Sequence, residues 1–390
     1  MLDRIKKWIP DAKTLPILKG PVVVDRTLLA VVLLLSGIGL MAVYSATTYL
    51  ATTNGVTVEN KLMDHVMRLL AALAAMVVFS QIDYHVVARF SKIAIVLSAI
   101  LLIWVLFQGT VQGGARRAIF GFRPSDIGRF ALILHVALLL TQKQFYIEDF
   151  KRGFLPIMVW VGLIVVLIGV QNVSTAMVLL ITVMAMGFIG RMRVAHLGGM
   201  MASGLVLALV MLMLFPARAE RIESYLGIKM FSHTDAEEVF SNQHEGFQIH
   251  QAQIAVANGG FVGKGIGKSA QKDWLPEAYS DFIYAIVAEE YGLLGALFLL
   301  GLLGVFLYRG FLYVARFAPD PLGFFLATGI TLTFGMYGLV HVCVNLGLMP
   351  VTGLPFPFVS WGGTSLVITG IMVGILLNIS AQAKKNTAVA

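Results

Sequence analysis

Long apolar stretches alternate with short polar ones over almost the whole chain. A helix of about 20 apolar residues spans the hydrocarbon core of a bilayer, because each residue adds about 1.5 Å. Frequent Gly and Ala inside the stretches suit helices that pack closely in a membrane. The pattern predicts an all-α polytopic membrane protein, a single membrane domain over residues 1–390, with about ten transmembrane helices at roughly 27–48, 65–80, 91–108, 126–141, 155–170, 174–190, 197–215, 282–307, 322–342 and 364–380.

Two connections between the predicted helices are more than simple turns. The connection 216–280, between helices seven and eight, is polar and about 65 residues long, and loops of that length are often functional. The segment 345–366, NLGLMPVTGLPFPFVSWGGTSL, is apolar, but its three prolines exclude a regular helix. Irregular backbone at membrane depth must be buried in protein or line a cavity, so we expect a re-entrant loop before helix ten.

Composition agrees with a membrane protein and excludes a soluble one. Hydrophobic residues make up 58% of the chain and charged residues 13%, whereas soluble domains carry about 25% charged residues. Lys and Arg concentrate in alternate connections, which predicts that segments 1–26 and 381–390 are cytoplasmic and that 216–280 is a large extracytoplasmic loop. Membrane orientation accounts for most of the net charge of +8. The chain has no glycine-rich nucleotide loop, zinc motif or nucleic-acid module.

A group of arginines departs from this orientation pattern. Arg116, Arg117, Arg123 and Arg129 surround the connection between helices three and four, which lies on the predicted outer side. Because guanidinium binds phosphate oxygens in a bidentate way, an outward arginine group suits a phosphate ligand. The alternative is that these side chains are solvated or touch lipid headgroups. Asp126 precedes Arg129 by three residues, so the two are expected to form an ion pair on one helix face.

Acidic residues mark the start of helix eight. Asp281 falls where the polar loop meets a strongly apolar helix, and a carboxylate there is costly unless it is paired, hydrated or used. Glu289 and Glu290 follow on the same helix, about 12 Å further along. Both glutamates either border the same polar cavity as Asp281 or pair with an arginine that holds helices together.

Two further patterns are local. Five glycines between 259 and 267 allow the backbone to approach a ligand closely. Polar residues interrupt the apolar pattern between helices five and six, and either Asn172 or Ser174 is expected to be the N-cap of helix six.

Several of these stretches, in the same order, resemble the SEDS family of bacterial cell-wall polymerases, which includes FtsW and RodA. The resemblance covers nearly the whole chain and is most specific in the fourth of the following segments. They are VYSAT (43–47), GARRAIFGFRPSDIGRF (114–130), QNVSTA (171–176), FQIHQAQIAVANGGFVGKGIGKSAQKDWLPEAYSDFIYAIVAEEYGLLG (247–295) and LPFPFVSWGGTSL (354–366).

This chain departs from the family pattern at six positions. The family has tryptophan, glutamine, glutamate, lysine, proline and tyrosine where this chain has Ala118, Arg123, Asp126, Arg129, Gln171 and Trp361. Charge is kept at 126 and 129, so the expected ion pair survives the changes.

The resemblance implies a reaction and a set of site residues. The reaction joins lipid II disaccharides by a β-1,4 glycosidic bond and releases undecaprenyl pyrophosphate. The family's essential acid aligns with Asp281, which would be the general base for the acceptor hydroxyl. The resemblance also implies substrate-binding roles for Arg116, Arg117, Lys268, Glu277, Gln248 and Ser360, with Arg116, Arg117 or Lys268 on the pyrophosphate, and orienting roles for Asp126, Arg129 and Glu289.

The resemblance further implies the setting of the reaction. The partner would be a class B penicillin-binding protein, and the location the bacterial cytoplasmic membrane with both termini in the cytoplasm. A divalent cation, Mg²⁺ or Mn²⁺, is compatible with pyrophosphate release, and no organic cofactor is expected. The segment around Ala278 and IYAIVAEEYG is more similar to the FtsW branch, which acts in division, than to the RodA branch, which acts in elongation.

Two other functions fit part of the pattern. A flippase or transporter of lipid-linked precursors also has about ten helices, broken helices and buried acids, but it needs access from both leaflets. A noncatalytic scaffold that recruits the penicillin-binding protein would not need Asp281.

Overall fold

The computed structural model describes residues 24–47, 58–112, 115–119, 121–214, 219, 223, 225 and 245–389. Most of the predicted N-terminal segment, 1–26, lies outside the described residues. The same holds for most of the first half of the predicted loop 216–280.

The described residues form twelve helices and one small hairpin. Short π-helical turns precede α6 and follow α10. The helices are α1 (Arg26–Thr47), α2 (Val58–Gln81), α3 (Tyr84–Arg89), α4 (Ser91–Gln108), α5 (Pro124–Lys143), α6 (Leu155–Gln171), α7 (Val173–Ile189), α8 (Val194–Leu214), α9 (Glu245–Gly259), α10 (Ile283–Arg309), α11 (Pro321–Asn345) and α12 (Thr364–Val389), and the hairpin strands are β1 (Thr110–Gln112) and β2 (Ala115–Ala118).

The helices confirm the predicted multi-pass membrane fold. Within the described part of the chain, nine helices are long and apolar enough to cross a membrane, and α7 is a shorter apolar helix. Together they match the ten predicted spans, with ends that differ by several residues. The antiparallel β1–β2 hairpin was not expected from the sequence, and α12 continues to Val389 instead of ending near 380.

The bundle has a buried centre and two ends. The spans α5, α11 and α12 are the most buried, whereas α2 and α8 are among the least. We call the end where α1 and α11 finish and α12 begins the site end. The opposite end, where α1 and α11 begin and α10 finishes, is called the far end.

Helix α10 is broken near its first third. Gly292 has φ 66° and ψ −165°, which a residue with a side chain rarely adopts. The broken ends are bridged by the segment 260–272 that follows α9, which we call the strap: Lys264 and Gly265 donate their amides to the carbonyls of Glu289 and Glu290, and Gly260 accepts from the amide of Leu293. The break therefore leaves few backbone groups without partners, as a buried helix end requires.

The strap explains the glycine-rich sequence between 259 and 267. A Cβ on Gly263 would lie 2.2 Å from the carbonyl oxygen of Glu290, and one on Gly259 would lie 2.0 Å from that of Ala288. These glycines allow two backbones to touch. For Gly259 and Gly263, two of the five glycines, the backbone approached is that of the broken helix.

The segment 346–363 is non-helical and mostly buried within the protein. Phe356, Phe358 and Val359 are at most 1% exposed, and the ring Nδ1 of His341 on α11 lies 2.8 Å from the carbonyl oxygen of Leu354. The irregular course expected from the prolines is confirmed, and the segment is held from the side of α11.

At the far end, charged groups neutralise one another. The ring nitrogens of His85 lie 2.7 Å from Asp83 and 2.9 Å from Asp320, and the hydroxyl of Tyr84 donates to Asp320. Burial lowers the pKa of His85, but its hydrogen bonds and the two negative charges outweigh burial and raise that pKa to about 9. A second pair, Asp25 with Arg309, joins the start of α1 to the end of α10.

Candidate active site

A polar cavity of about 530 Å³ lies at the site end of the bundle. Its walls come from the start of α5, the α6–α7 junction, α9, the turn before α10, the end of α11 and the segment 346–363. The polar and charged side chains on its wall are Arg123, Ser125, Asp126, Gln171, Asn172, Thr175, Gln248, Glu277, Tyr279, Ser280, Asp281, Tyr337, Trp361 and Ser365.

Asp281 stands in a tight turn that ends where α10 begins. Its amide donates to the carbonyl of Glu277 at 2.9 Å, and one carboxylate oxygen accepts from the hydroxyl of Ser280 at 3.0 Å. The carbonyl of Asp281 accepts from the side-chain amide of Asn345 at 3.0 Å. The backbone of the acid is therefore fixed from two directions, while its half-buried carboxylate lies on the cavity wall.

Asn345 is the last residue of α11 and is fully buried. Besides the carbonyl of Asp281, its amide group donates to His341 at 2.8 Å, and its oxygen accepts from the amide of Ala285 at 2.9 Å. A single buried side chain thus satisfies the first turn of α10 and links it to α11. The amide and carbonyl it serves would cost about 1–3 kcal/mol each if left unsatisfied.

The segment 346–363 holds the turn from the other side. The hydroxyl of Ser360 donates to the carbonyl of Ser280 at 2.7 Å and accepts from the amide of Phe356 at 2.8 Å. The amide of Trp361 donates to the carbonyl of Tyr279 at 2.9 Å. Ser360 is 1% exposed and lies off the cavity wall, so its position fits a support for the turn better than the expected contact with substrate.

Asp126 and Arg129 are brought together as expected, with Oδ1 and Nη2 3.9 Å apart. Thr364 donates its hydroxyl to Asp126 at 2.9 Å and accepts the amide of Arg123 at 3.1 Å. Arg129 is buried, with its guanidinium 4.2 Å from the ring centre of Tyr337. The pair therefore ties α5 to α11 and α12, and it leaves the Asp126 side of the pair on the cavity wall.

Glu277 and Asp281 are four residues apart and form a carboxylate pair on the same wall. Burial raises the pKa of Glu277, and the negative charge of Asp281 adds to the effect. A hydrogen bond from Tyr279 and the positive charges of Lys61 and Arg123 act in the opposite direction. The cavity thus holds crowded negative charge that nearby cations partly offset.

Seven of the ten predicted site residues fall into three groups. Gln248, Glu277, Asp281 and Asp126 share the cavity. Lys268 is exposed on the strap and is not on the cavity wall. Arg116 and Arg117 lie on β2, but their side chains are outside the described part of the structure.

Glu289 is fully buried away from the cavity wall. It accepts from Lys264 Nζ at 2.7 Å, from the hydroxyl of Ser269 and from the amides of Ala270 and Gln271 at 3.2 Å. Glu289 does not border the cavity, and it does pair with a cation, but the partner is Lys264 of the strap and not the expected arginine of another helix. The carboxylate anchors the strap, because it is the common acceptor for one cation and three further donors.

The N-cap of α7 is Asn172, which accepts from the amide of Thr175 at 3.2 Å. This confirms one of the two expected caps. Asn172 and the buried Gln171 also reach the cavity wall, so the break between α6 and α7 contributes polar groups to the site.

Sequence reasoning missed Lys61 and Arg68, which lie near the cavity on α2. The predicted helix began at residue 65, whereas α2 begins at Val58. A signal was present, because Lys61, Asp64 and Arg68 recur at helical spacing. Asn345 was also missed, since its partners are backbone atoms of a distant segment.

The acids of the cavity fit a divalent cation only together with a substrate. Among the described residues, no group of three or more His, Cys, Asp or Glu could hold a metal ion. Mg²⁺, however, is often held by one or two carboxylates and by substrate phosphates. Glu277 and Asp281 match that donor set.

Comparison with known proteins places the chain in a family. The model for cell cycle proteins of the FtsW, RodA and SpoVE type matches residues 25–385. The chain is 33% identical to a probable peptidoglycan glycosyltransferase FtsW of Geobacter metallireducens, over 92% of this chain and 95% of the relative. It is 35% identical to the stage V sporulation protein E of Bacillus subtilis, over 92% and 98%.

Solved structures have the same fold. A chain of a peptidoglycan synthase complex that coordinates polymerization and crosslinking matches with a TM-score of 0.70 at 23% identity, over 93% of this chain and 99% of that one. The rod shape determining protein RodA of Thermus thermophilus matches with a TM-score of 0.67 at 22% identity, over 93% and 98%. This chain therefore belongs to the FtsW/RodA/SpoVE family of multi-pass membrane proteins, also called the SEDS family.

Proposed function

We propose that the protein is a peptidoglycan glycosyltransferase that polymerises lipid II into glycan strands and releases undecaprenyl pyrophosphate. Family membership and the names of relatives about one-third identical support the activity. The observation that carries the assignment to this site is the carboxylate of Asp281 on the wall of a polar cavity. A lipid tail can remain in the bilayer while its headgroup reaches that cavity.

The proposed reaction assigns a proton transfer to Asp281. The 4-hydroxyl of the acceptor sugar attacks C1 of the donor sugar, and its proton passes to the Asp281 carboxylate. The new C1–O bond forms as the bond from C1 to the phosphate oxygen breaks, and the electron pair leaves with undecaprenyl pyrophosphate. A positioned general base contributes about 10²–10⁴-fold to such a step.

The other residues of the cavity orient Asp281 and the substrate. Asn345 and Ser360 fix the turn that carries the acid, and Ser280 donates to its carboxylate. Gln248 lies on the wall within the same cavity and is proposed to contact the sugar. Asp126 is proposed to orient groups in the cavity through Thr364.

A divalent cation is proposed to bind only with the substrate. Glu277 and phosphate oxygens of the substrate would hold it, which keeps Asp281 as the proton acceptor, and when bound it would offset the charge of the departing pyrophosphate.

The biological setting is proposed from the family. The partner would be a class B penicillin-binding protein, consistent with the matching chain of a synthase complex. The site end would face outward and the termini would be cytoplasmic, in the bacterial inner membrane. Relatives called FtsW favour the FtsW branch, which acts in division, over the elongation branch.

Asp281→Asn tests the activity directly. The full-length variant, copurified with its penicillin-binding protein, should lose at least about 100-fold of its rate of lipid II polymerisation, because asparagine cannot accept the proton. Glycan products on gels would measure the loss. Asp273→Asn is the matched control, since Asp273 is an exposed acid on the same connection and off the cavity wall.

The thermal unfolding of both variants in detergent should remain close to that of the parent. Full polymerisation by a folded Asp281→Asn variant would remove Asp281 from the mechanism. It would favour instead the noncatalytic scaffold, in which the acid is dispensable.

A further inference from the structure

Two cations of α2 lie on the same helix face near the cavity. Lys61 and Arg68 are seven residues apart, two helical turns, and so project in nearly the same direction. Both are half-buried. Arg68 also pairs with Asp64 at 2.7 Å, in a bridge whose side chains are 33% and 42% exposed.

Both cations lie over the indole of Trp361. The Nζ of Lys61 is 5.0 Å from the Trp361 ring centre and 4.8 Å from that of Tyr279. The guanidinium carbon of Arg68 is 4.6 Å from the Trp361 ring centre. The two rings meet edge to face with centres 5.5 Å apart. We call Lys61, Arg68 and Trp361 the cation–indole cluster.

The cation–indole cluster borders the cavity of Asp281. Trp361, Tyr279 and Gly363 lie on the cavity wall, and a Cβ on Gly363 would lie 3.8 Å from Arg68 Nη1. The charge of Lys61 also acts on Glu277, which is on that wall. The cations therefore stand at the edge of the site, on a helix that is among the least buried in the bundle.

An indole ring holds cations weakly enough for an anion to take them over. A cation over an aromatic ring and a partly exposed ion pair such as Asp64–Arg68 are both weak interactions while water still reaches them. Hydrogen bonds between a cation and a phosphate are about twice as strong as neutral ones. When Lys61 and Arg68 move from the ring to a pyrophosphate, the weak contacts they lose are therefore replaced by stronger hydrogen bonds.

The negative charge of the cavity wall explains why cations are needed beside it to bind an anionic substrate. Asp126, Glu277 and Asp281 outnumber Arg123, the one Lys or Arg that lines the described cavity wall, so the wall would repel the pyrophosphate of a lipid-linked sugar. Lys61 and Arg68 stand just outside the wall, against Trp361, and can draw that group in while its lipid tail stays beside α2.

We propose that Lys61 and Arg68, held ready on Trp361, form the subsite for the pyrophosphate of the lipid-linked substrate. The inference rests on the proposed function, because it names where that function's substrate binds. It assigns Lys61 and Arg68 to substrate binding and Trp361 to positioning.

The test measures binding without turnover. Full-length protein carrying Asp281→Asn, with its penicillin-binding protein, is titrated with undecaprenyl pyrophosphate in detergent, and tryptophan emission is recorded. We expect the emission to change as the cations leave the indole, and undecaprenol, which has the same tail without phosphate, to give no change. Adding Lys61→Gln or Arg68→Gln should weaken binding at least tenfold.

Three further variants sharpen the result. Trp361→Phe keeps an aromatic platform, so binding measured with radiolabelled ligand should stay within about threefold while the emission change disappears. Lys272→Gln is the control, because Lys272 donates to the carbonyl of Gly267 on the strap. Lys268→Gln represents the competing subsite.

Parent-like binding by both Lys61→Gln and Arg68→Gln would overturn the inference, and so would a loss confined to Lys268→Gln. Neither outcome touches the proposed function, which fails only if the folded Asp281→Asn variant still polymerises lipid II. The two failures are therefore distinguishable.

Discussion

The two ends of the bundle use aspartate in opposite ways. At the far end, Asp25, Asp83 and Asp320 each accept backbone amides at the start of a helix, α1, α3 and α11. Each of them also pairs with Arg309 or His85. Each of these acids therefore caps a helix and pairs with a cation, so its charge is neutralised within the protein.

At the site end, the aspartate that precedes the helix does not cap it. Asp281 precedes α10, but the side chain that accepts the amide of Ala285 in the first turn is Asn345, from α11, with the carbonyl of Phe282 as a second acceptor. The carboxylate of Asp281 stays on the cavity wall, near Glu277. The comparison teaches that the protein keeps negative charge exposed to a ligand by assigning the structural hydrogen bonds to a neutral neighbour.

The largest loss of stability is expected at the far end, for Asp320→Asn. The change leaves His85 with one carboxylate instead of two and removes a charged acceptor from Tyr84. Breaking a buried ion pair by removing one partner costs about 3–5 kcal/mol, and asparagine can still cap α11. Thermal unfolding in detergent should fall clearly below that of the parent.

The polymerisation rate of the same variant distinguishes the role of the far end from that of the site end. The rate per folded Asp320→Asn molecule should be close to that of the parent, because the site lies across the bundle. A polymerisation defect as large as that of Asp281→Asn, with normal unfolding, would contradict the division of roles.

His85→Gln should show a pH-dependent loss of stability. The pKa of His85 is raised from 6.5 to about 9 in the folded protein, so its contribution is complete below pH 6.5 and disappears as the pH rises through about 9. A difference of this size corresponds to about 3 kcal/mol. Unfolding temperatures of parent and variant, measured across that pH range, should converge on the alkaline side. A constant gap between them would mean that the charge of His85 is not involved.

Asn345→Ala should have a smaller effect on stability but a clear effect on the reaction. It leaves the carbonyl of Asp281 without the partner it has in Asn345, at a cost of about 1–3 kcal/mol, while the amide of Ala285 keeps only its second acceptor, the carbonyl of Phe282. Because the backbone of Asp281 loses one of its supports, we expect kcat to fall at least about tenfold, as misplacement of a catalytic group can do. Lipid II polymerisation at saturating substrate would measure the change.

The informative result is which kinetic constant changes, kcat or KM. Asn345→Ala should reduce kcat more than it raises KM, since the cation–indole cluster is untouched. An unchanged kcat in the folded variant would show that the amide of Asn345 is only structural.

The helical framework was predictable because the bilayer restricts the choices. Apolar length alone identified the ten spans, and prolines identified the irregular segment 346–363. The break at Gly292 could not be predicted, because a glycine inside an apolar run is common in membrane helices. The break depends on residues 260–265 of the strap, which touch α10 only in the folded protein.

The site was predictable only in part. Charge at a helix boundary revealed Asp281, and spacing revealed the pair of Asp126 and Arg129. Glu289 followed the same rule of unusual buried charge, yet its partner Lys264 lies 25 residues away in sequence. An acid in an apolar helix is thus recognisable from the sequence as a residue with a specific role. The sequence does not distinguish a ligand-binding acid such as Asp281 from a structural one such as Glu289.

The contact between the amide of Trp361 and the carbonyl of Tyr279 has a consequence for sequence variation. Any residue except proline supplies that amide, so the join between the irregular segment and the acid-bearing turn survives a change of side chain. Tyrosine or tryptophan at 361 would therefore leave the turn in place. The side chain at 361 determines only which ring Lys61 and Arg68 contact. It can therefore change while the backbone beneath it stays the same.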